Sequence, residues 1–295
     1  MKVTKADALG TCFGVKDAIE EAMDPQFRGN LTVIGQLVHN PQVVQRLREN
    51  GVKIVDSLND TIDTPNVMIT AHGAAQSVHE TARERGYKVY DATCPLVMRV
   101  HKAIQKLVDE GFYPVVIGQA SHVEVRGIIT DLSECVVIES EADFSKLIDK
   151  PRLGIVSQTT QQVKHVQEVV ETIRAKVKNP DGTDKEIKFV DTVCKPTKDR
   201  QKAVEKLSDE VDLMIVIGGY NSSNTKKLKK VCDDKNLEAF HVERGDQLQP
   251  EWFKNKEHVG ITAGTSTPQW VIDEVYEAAV SIGKDLELGA QKRAV

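Results

Sequence analysis

YKVYDATCPLVMRVHKAIQKLVDEG, from Tyr87 to Gly111, carries the plan of this chain in a single copy. A short β-branched run, YKVY, stops at a small polar cluster that holds Cys94. A stretch with 3.6-type apolar spacing follows and ends at Gly111, the usual residue for a helix C-terminus. The same junction of strand, polar turn and helix recurs nine times. Three copies hold a cysteine: GTCFGV at Cys12, DATCPLV at Cys94 and DTVCKPT at Cys194. The other six are LVHNPQ at His39, TAHGAAQ at His72, QASHVEV at His122, SQTTQQ at Thr159, NSSNT at Ser222 and AGTSTP at Ser266. Their order is cysteine, polar, polar, three times over. Ligands of α/β proteins collect at the carboxyl ends of strands. A threefold arrangement of these units therefore brings three thiols and six polar turns to one place, a site for a cluster and an anion.

Working outward, the strand candidates are NLTVIGQ, NVMIT, YKVYDA, YPVVIGQ, CVVIES, RLGIVSQ, IKFVDT, LMIVIGG, EAFHV and HVGITAG. Each is short and bounded by turn residues. Helical patterns alternate with them, which predicts an α/β fold of mostly parallel sheets covered by helices. The cysteine turns lie 82 and then 100 residues apart. We expect three small α/β units, 1–92, 93–190 and 191–280, each marginal alone and sharing a common interface. The tail 281–295, which contains GKDLELGAQKRAV, is polar, open to disorder or to folding back over another unit.

Composition excludes several classes. With 39 Lys plus Arg against 44 Asp plus Glu, and no basic stripe interleaved with aromatics, no nucleic-acid partner is expected. The longest apolar runs fall well short of the ~18 residues of a membrane span. The start MKVTKADALGTC has no apolar core of signal-peptide length. No membrane association is expected, and the expected compartment is the cytoplasm. Walker-type and G-x-G-x-x-G nucleotide motifs are absent from the sequence.

The five cysteines form no C-x-x-C pair, and structural zinc favours close ligand pairs. Cys135, in a strand-like run, and Cys232, at a helix end, read as packing residues. Cys12, Cys94 and Cys194 have two readings: packing residues beside tight turns, or thiolates holding three corners of an iron–sulfur cluster with the fourth iron open. His39, His72 and His122 sit in βα turns, where imidazoles can donate to phosphate oxygens. Three of them at equivalent junctions point to function, whereas His79, His101, His165, His241 and His258 read as core-edge or surface residues. Ser222, Ser223, Asn224 and Ser266 carry N-cap signatures, which also suit anions at helix N-termini. Glu124, two residues after His122, reads from its position alone as a carboxylate at a helix N-terminus. It is also the one carboxylate in these turns able to serve as a proton donor.

Taken together and in order, GTCFGV, HNPQVV, AHG, DATCPLV, SHVEV, SQTT, DTVC with a following RQ, NSSNT and AGTSTP resemble the 4-hydroxy-3-methylbut-2-enyl diphosphate reductases of the LytB type. The likeness runs from Cys12 to about Ser266. It implies three α/β units in a pseudo-threefold arrangement around one central 4Fe–4S cluster per chain, ligated by Cys12, Cys94 and Cys194, with an open iron for the substrate hydroxyl. It implies that His39, His72, His122, Ser222, Ser223, Asn224 and Ser266 bind the diphosphate. Thr159 would hydrogen-bond the substrate hydroxyl and Glu124 would supply the proton. The implied reaction is reductive dehydroxylation of an allylic diphosphate to isopentenyl and dimethylallyl diphosphate, the final step of non-mevalonate isoprenoid synthesis. The implied partner is a small electron-transfer protein of ferredoxin or flavodoxin type. This chain departs from the family pattern at Thr11, often Phe, at Ser121-His122-Val123-Glu124, often Gly-His-Pro-Glu, and at Pro196, commonly Ala. None of these changes removes a ligand or the acid. Two rivals use the same residues: a non-redox iron–sulfur hydro-lyase, which needs no reductant, and a sensor whose cluster is structural or regulatory, which turns nothing over.

Overall fold

The run LMIVI, Leu213 to Ile217, is buried at every position, so both of its faces are covered. That is the signature of a parallel strand between helix layers. The computed structural model describes residues 1–293. The chain opens on β1 (Lys2–Lys5) and α1 (Phe13–Ala22), then β2 (Leu31–Ile34), α2 (Pro41–Glu49), β3 (Lys53–Val55), β4 (Asn66–Ile69), α3 (Gln76–Glu84) and β5 (Lys88–Asp91). It continues through α4 (Pro95–Asp109), β6 (Tyr113–Ile117), α5 (Val123–Ile129), β7 (Val136–Ile138), β8 (Arg152–Ser157), α6 (Val163–Lys176) and β9 (Glu186–Phe189). The last part holds α7 (Lys195–Leu207), β10 (Leu213–Ile217), α8 (Ser223–Asp234), β11 (Ala239–Val242), β12 (His258–Ala263) and α9 (Gln269–Arg293).

The strands form three four-stranded sheets, ordered β3-β2-β4-β5, β7-β6-β8-β9 and β11-β10-β12-β1. All pairings within them are parallel. The order is the same in each, with one substitution: in the last sheet the fourth position is filled by the first strand of the chain, Lys2 opposite His258. All ten strands expected from the sequence are present. The two not expected, β1 and β3, are short edge strands, four and three residues long.

The chain divides into two compact units. One comprises 1–13, 39–43 and 195–295, the other 14–38 and 44–194. The first contains the β11-β10-β12-β1 sheet. On one side Val271, Ile272, Val275 and Ala279 of α9 pack on Ile215, Ile217 and Ile261. On the other, Val204 and Leu207 of α7 and Leu228 of α8 pack on Met214 and Val216. The second unit holds the other two sheets. Helix α4 starts at the end of the β3-β2-β4-β5 sheet but covers the next one. Its Val100, Ile104 and Leu107 lie on Val116 of β6 and Val156 of β8. Gly154 permits the approach, since a Cβ there would stand 2.9 Å from Leu107.

The tail, open in the sequence to disorder or to folding back, is described through position 293. Residues 281–293 continue α9, and Ile282 and Leu286 keep its apolar face on Met1 and the core. The N-terminal amine closes on the Glu287 carboxylate. Positions 294 and 295 lie outside the described residues. Among the described residues no helix is long and apolar enough to cross a membrane.

Candidate active site

Every one of the nine junctions leaves the carboxyl end of a strand. Cys12, Cys94 and Cys194 follow β1, β5 and β9, the fourth strand of each sheet. His39, His122 and Ser222 follow β2, β6 and β10; His72, Thr159 and Ser266 follow β4, β8 and β12. The remaining edge strands, β3, β7 and β11, carry none of these residues. The cysteine–polar–polar order is therefore a property of strand position.

In the first unit the Cys12 turn is tied to the β12 turn. Cys12 N–H donates to the Thr265 carbonyl at 3.1 Å, and Thr11 Oγ1 donates to the Thr267 carbonyl at 2.9 Å. The buried Arg200 adds Nε–H to the Gly10 carbonyl at 3.0 Å. Ser266 Oγ donates to the His39 carbonyl at 3.1 Å, so these two expected binders lie side by side. Gly219 makes that approach possible, because a Cβ there would be 2.5 Å from the His39 carbonyl oxygen. Burial, then the Lys226 charge, holds His39 below the ordinary imidazole range, so it is a neutral donor at pH 7.

Ser222 caps α8, its Oγ accepting Thr225 N–H at 3.3 Å. Ser222, Ser223, Asn224 and Thr225 are all buried at this helix start, where backbone N–H groups point outward. Thr197 Oγ1 donates to Asn224 Oδ1 at 3.3 Å and fixes the amide. Asn224 Nδ2 then remains a buried donor with no protein acceptor, 1% exposed as a residue. Buried donors are rarely left unpaired, and an anion would satisfy this one.

The second unit holds the acid. Glu124 lies in the first turn of α5, as its sequence position suggests, but it is not a solvated carboxylate: the residue is 1% exposed. Thr159 grips it twice, backbone N–H to Oε1 at 2.7 Å and Oγ1 to Oε2 at 2.8 Å. Burial raises the carboxyl to about 7, and the two Thr159 hydrogen bonds only partly offset that. The Thr159 carbonyl in turn accepts Cys194 N–H at 3.0 Å. One residue thus joins the acid to a cysteine turn. His122 Nδ1 accepts Glu124 N–H at 3.2 Å, which places the ring proton on Nε2. The His72 ring stands edge-on to it at 5.9 Å.

Cys94 is the N-cap of α4, with Pro95 at the first helical position. Its N–H donates to the Ala71 carbonyl at 3.1 Å. Gly14, two residues after Cys12, packs so closely on Cys94 that a Cβ there would collide with Sγ. By contrast, Cys135 precedes β7 and burial pushes its thiol up to about 12; Cys232 is buried late in α8 and is pushed up to about 11. Both are held as neutral thiols, unsuited to ligation. Among the described residues no three His, Cys, Asp or Glu side chains close on a single ion. Thiolates at the corners of a polynuclear cluster need not meet at one point.

Sequence reasoning missed supporting residues. Gln158, fully buried, accepts Gln119 N–H at 3.2 Å and donates to Thr160 at 3.0 Å. Thr192, just before Cys194, pins the end of β8 by accepting Ser157 N–H at 2.8 Å and donating to the Ser157 carbonyl at 2.6 Å. Its signal was a polar residue two positions before a turn cysteine. Of the set-aside histidines, His241 bonds the Gly218 carbonyl at 2.8 Å and His258 bonds Thr4 at 2.7 Å, while His79 is buried in α3.

The family model described as LytB protein matches residues 3–279. A 4-hydroxy-3-methylbut-2-enyl diphosphate reductase of Syntrophotalea carbinolica is 39% identical over 288 residues, covering 96% of this chain and 100% of the relative. The Aquifex aeolicus reductase is 40% identical, covering 92% and 93%. A solved structure of (E)-4-hydroxy-3-methyl-but-2-enyl diphosphate reductase, the terminal enzyme of the non-mevalonate pathway, aligns at TM-score 0.67 with 38% identity, over 95% of this chain and 100% of that one. The Plasmodium falciparum enzyme's structure aligns at 0.84 with 29% identity, over 92% and 86%.

Proposed function

This chain belongs to the LytB protein family, and from that membership we infer that it is a 4-hydroxy-3-methylbut-2-enyl diphosphate reductase, the terminal enzyme of the non-mevalonate pathway. The reaction takes two electrons and two protons into an allylic alcohol and releases water, giving isopentenyl or dimethylallyl diphosphate.

We propose that Cys12, Cys94 and Cys194 hold one 4Fe–4S cluster. The three half-buried thiols after equivalent strands fit it, and at Gly14, beside Cys94 Sγ, any side chain would crowd the thiol. Bound there, such a cluster supplies single electrons and an open metal position that polarises the hydroxyl.

The observation that carries the mechanism is the buried Glu124–Thr159 pair. With its carboxyl near 7, Glu124 holds a proton on a good fraction of molecules at neutral pH, which suits a general acid. In the protonated acid, Oε2–H donates to Thr159 Oγ1 in place of the present Oγ1–H donation to Oε2. Thr159 then passes its own hydroxyl proton to the substrate hydroxyl and takes the Glu124 proton, while Thr159 N–H keeps Oε1 in place. Water can then leave. The diphosphate is bound by Ser222, Ser223 and the unpaired Asn224 amide at the start of α8, with His39, Ser266, His72 and His122. These donors are spread over several turns, so that no single turn carries the negative charge. The thiols require a reducing compartment, in keeping with the cytoplasm. The test is single-turnover reduction of the allylic alcohol by Glu124→Gln under anaerobic conditions. Turnover near wild type would remove Glu124 from the reaction.

A further inference from the structure

Each cysteine turn runs directly into a helix, and the three helices differ in the charge they show to solvent. On α1 the outward residues include Asp17 and Glu21, and Lys16 pairs with Glu20 at 3.6 Å. On α7, Lys195 pairs with Asp199 at 3.0 Å and Lys206 with Asp7 at 2.8 Å. On α4 the exposed positions are Pro95, Met98, Arg99, Lys102, Gln105, Lys106 and Asp109, one continuous stripe at helical spacing whose single carboxylate, Asp109, lies in the last turn and accepts from Gln105 Nε2 at 2.8 Å. Lys106 lies 4.0 Å from Glu110 at the far end. Arg99 and Lys102 form no ion pair among the described residues. The half of α4 nearest Cys94 thus shows two uncompensated cations, about 7 and 12 Å along the helix from it, where α7 shows one, Lys202. Met98, 39% exposed, adds an apolar anchor one turn from the cysteine. Nothing in the fold requires these cations: the helix dipole favours cations at the other end. They also run against the chain's net charge of −5.

We propose that this face of α4, from Pro95 to Lys106, is the docking surface for a small acidic electron-carrier protein. The proposal rests on the reductase reading. Two carriers are oxidised per turnover, one electron each, and the substrate alcohol gains both electrons with two protons. A positive spot on an acidic protein steers an acidic partner to one place and is screened by salt. Met98 gives the encounter a small desolvated centre of the kind found in transient redox interfaces.

The probe is an acidic plant-type ferredoxin, with binding to the iron-loaded enzyme followed by surface plasmon resonance at low and high salt. Arg99→Glu with Lys102→Glu should slow association by about tenfold or more at low salt and flatten its salt dependence. The neutral pair Arg99→Gln with Lys102→Gln should fall between, and Lys202→Glu on α7 should leave association unchanged. Iron content and turnover with dithionite-reduced methyl viologen should not fall in any of these variants. Wild-type association in the double reversal, or an equal loss from Lys202→Glu, overturns the proposal. So does self-association of the enzyme that the double reversal abolishes, since the face would then belong to a second copy. Ferredoxin binding that depends on Arg99 and Lys102 in an enzyme with no viologen turnover would instead overturn the reductase reading and leave the surface standing.

Discussion

At the scale of single residues, Glu124 sets two expectations. Glu124→Gln keeps both Thr159 contacts, with Oε1 still accepting the backbone N–H and the new amide donating to Oγ1. It cannot deliver a proton, so turnover should fall by about 10²–10⁴ while iron content and substrate affinity persist. The same substitution tests the titration. The folded carboxyl lies near 7 against an ordinary 4.5, so between those values the folded state binds more protons than the unfolded one. Stability is then fully present below 4.5 and is lost as pH rises through 7, by on the order of 3 kcal/mol. Denaturant titrations of the wild type from pH 4.5 to 8 should show this decline, and Glu124→Gln should flatten it. Identical slopes would mean that the carboxylate is not buried as described.

At the scale of elements, the strand that a cysteine follows matters more than its neighbours in sequence. Serine at Cys12, Cys94 or Cys194, which end the fourth strands, should abolish the brown chromophore and activity. Serine at Cys135 or Cys232, both high-pKa packing thiols, should leave iron content intact. Cluster loss at Cys232 with retention at Cys194 would refute the assignment. The helix that follows Cys12 makes a second prediction. Gly14→Ala drives a Cβ into Cys94 Sγ, and so α1 or the Cys94 turn must shift. Overpacking of this kind costs about 1–3 kcal/mol. Iron content per chain should drop although circular dichroism stays native-like; full iron loading would show that the turn yields without cost.

For the molecule as a whole, the expected diphosphate donors come from five different turns after five different strands, the α8 start among them. No single turn should dominate. Charge-assisted hydrogen bonds are each worth roughly 1.5–3 kcal/mol. The substrate alcohol without its diphosphate should therefore bind at least about a hundredfold more weakly, ~2.7 kcal/mol. Calorimetry with both compounds checks this, and comparable affinities would contradict an anion site at Ser222, Ser223, Asn224 and Ser266.

The sequence by itself determined the nine junctions, ten of the twelve strands and the separation of the turn cysteines from Cys135 and Cys232. Those features are local: a strand, a cap or a helix stripe is written in some four to fifteen neighbouring residues. Tertiary structure decided what depends on distant ones. KVTK holds a single apolar residue, Val3, between charged neighbours and does not announce a strand, and it becomes one because β12, more than 250 residues later, offers an open edge. The polar helix end is held because Ile282 and Leu286 pack, like Met1, on the core of the first unit. Glu124 read as an ordinary helix-start carboxylate; only the packing of α5 against the Thr159 turn removes its water. Desolvation is a property of everything that surrounds a group, and for that reason no local pattern could have shown how far the Glu124 carboxyl is raised.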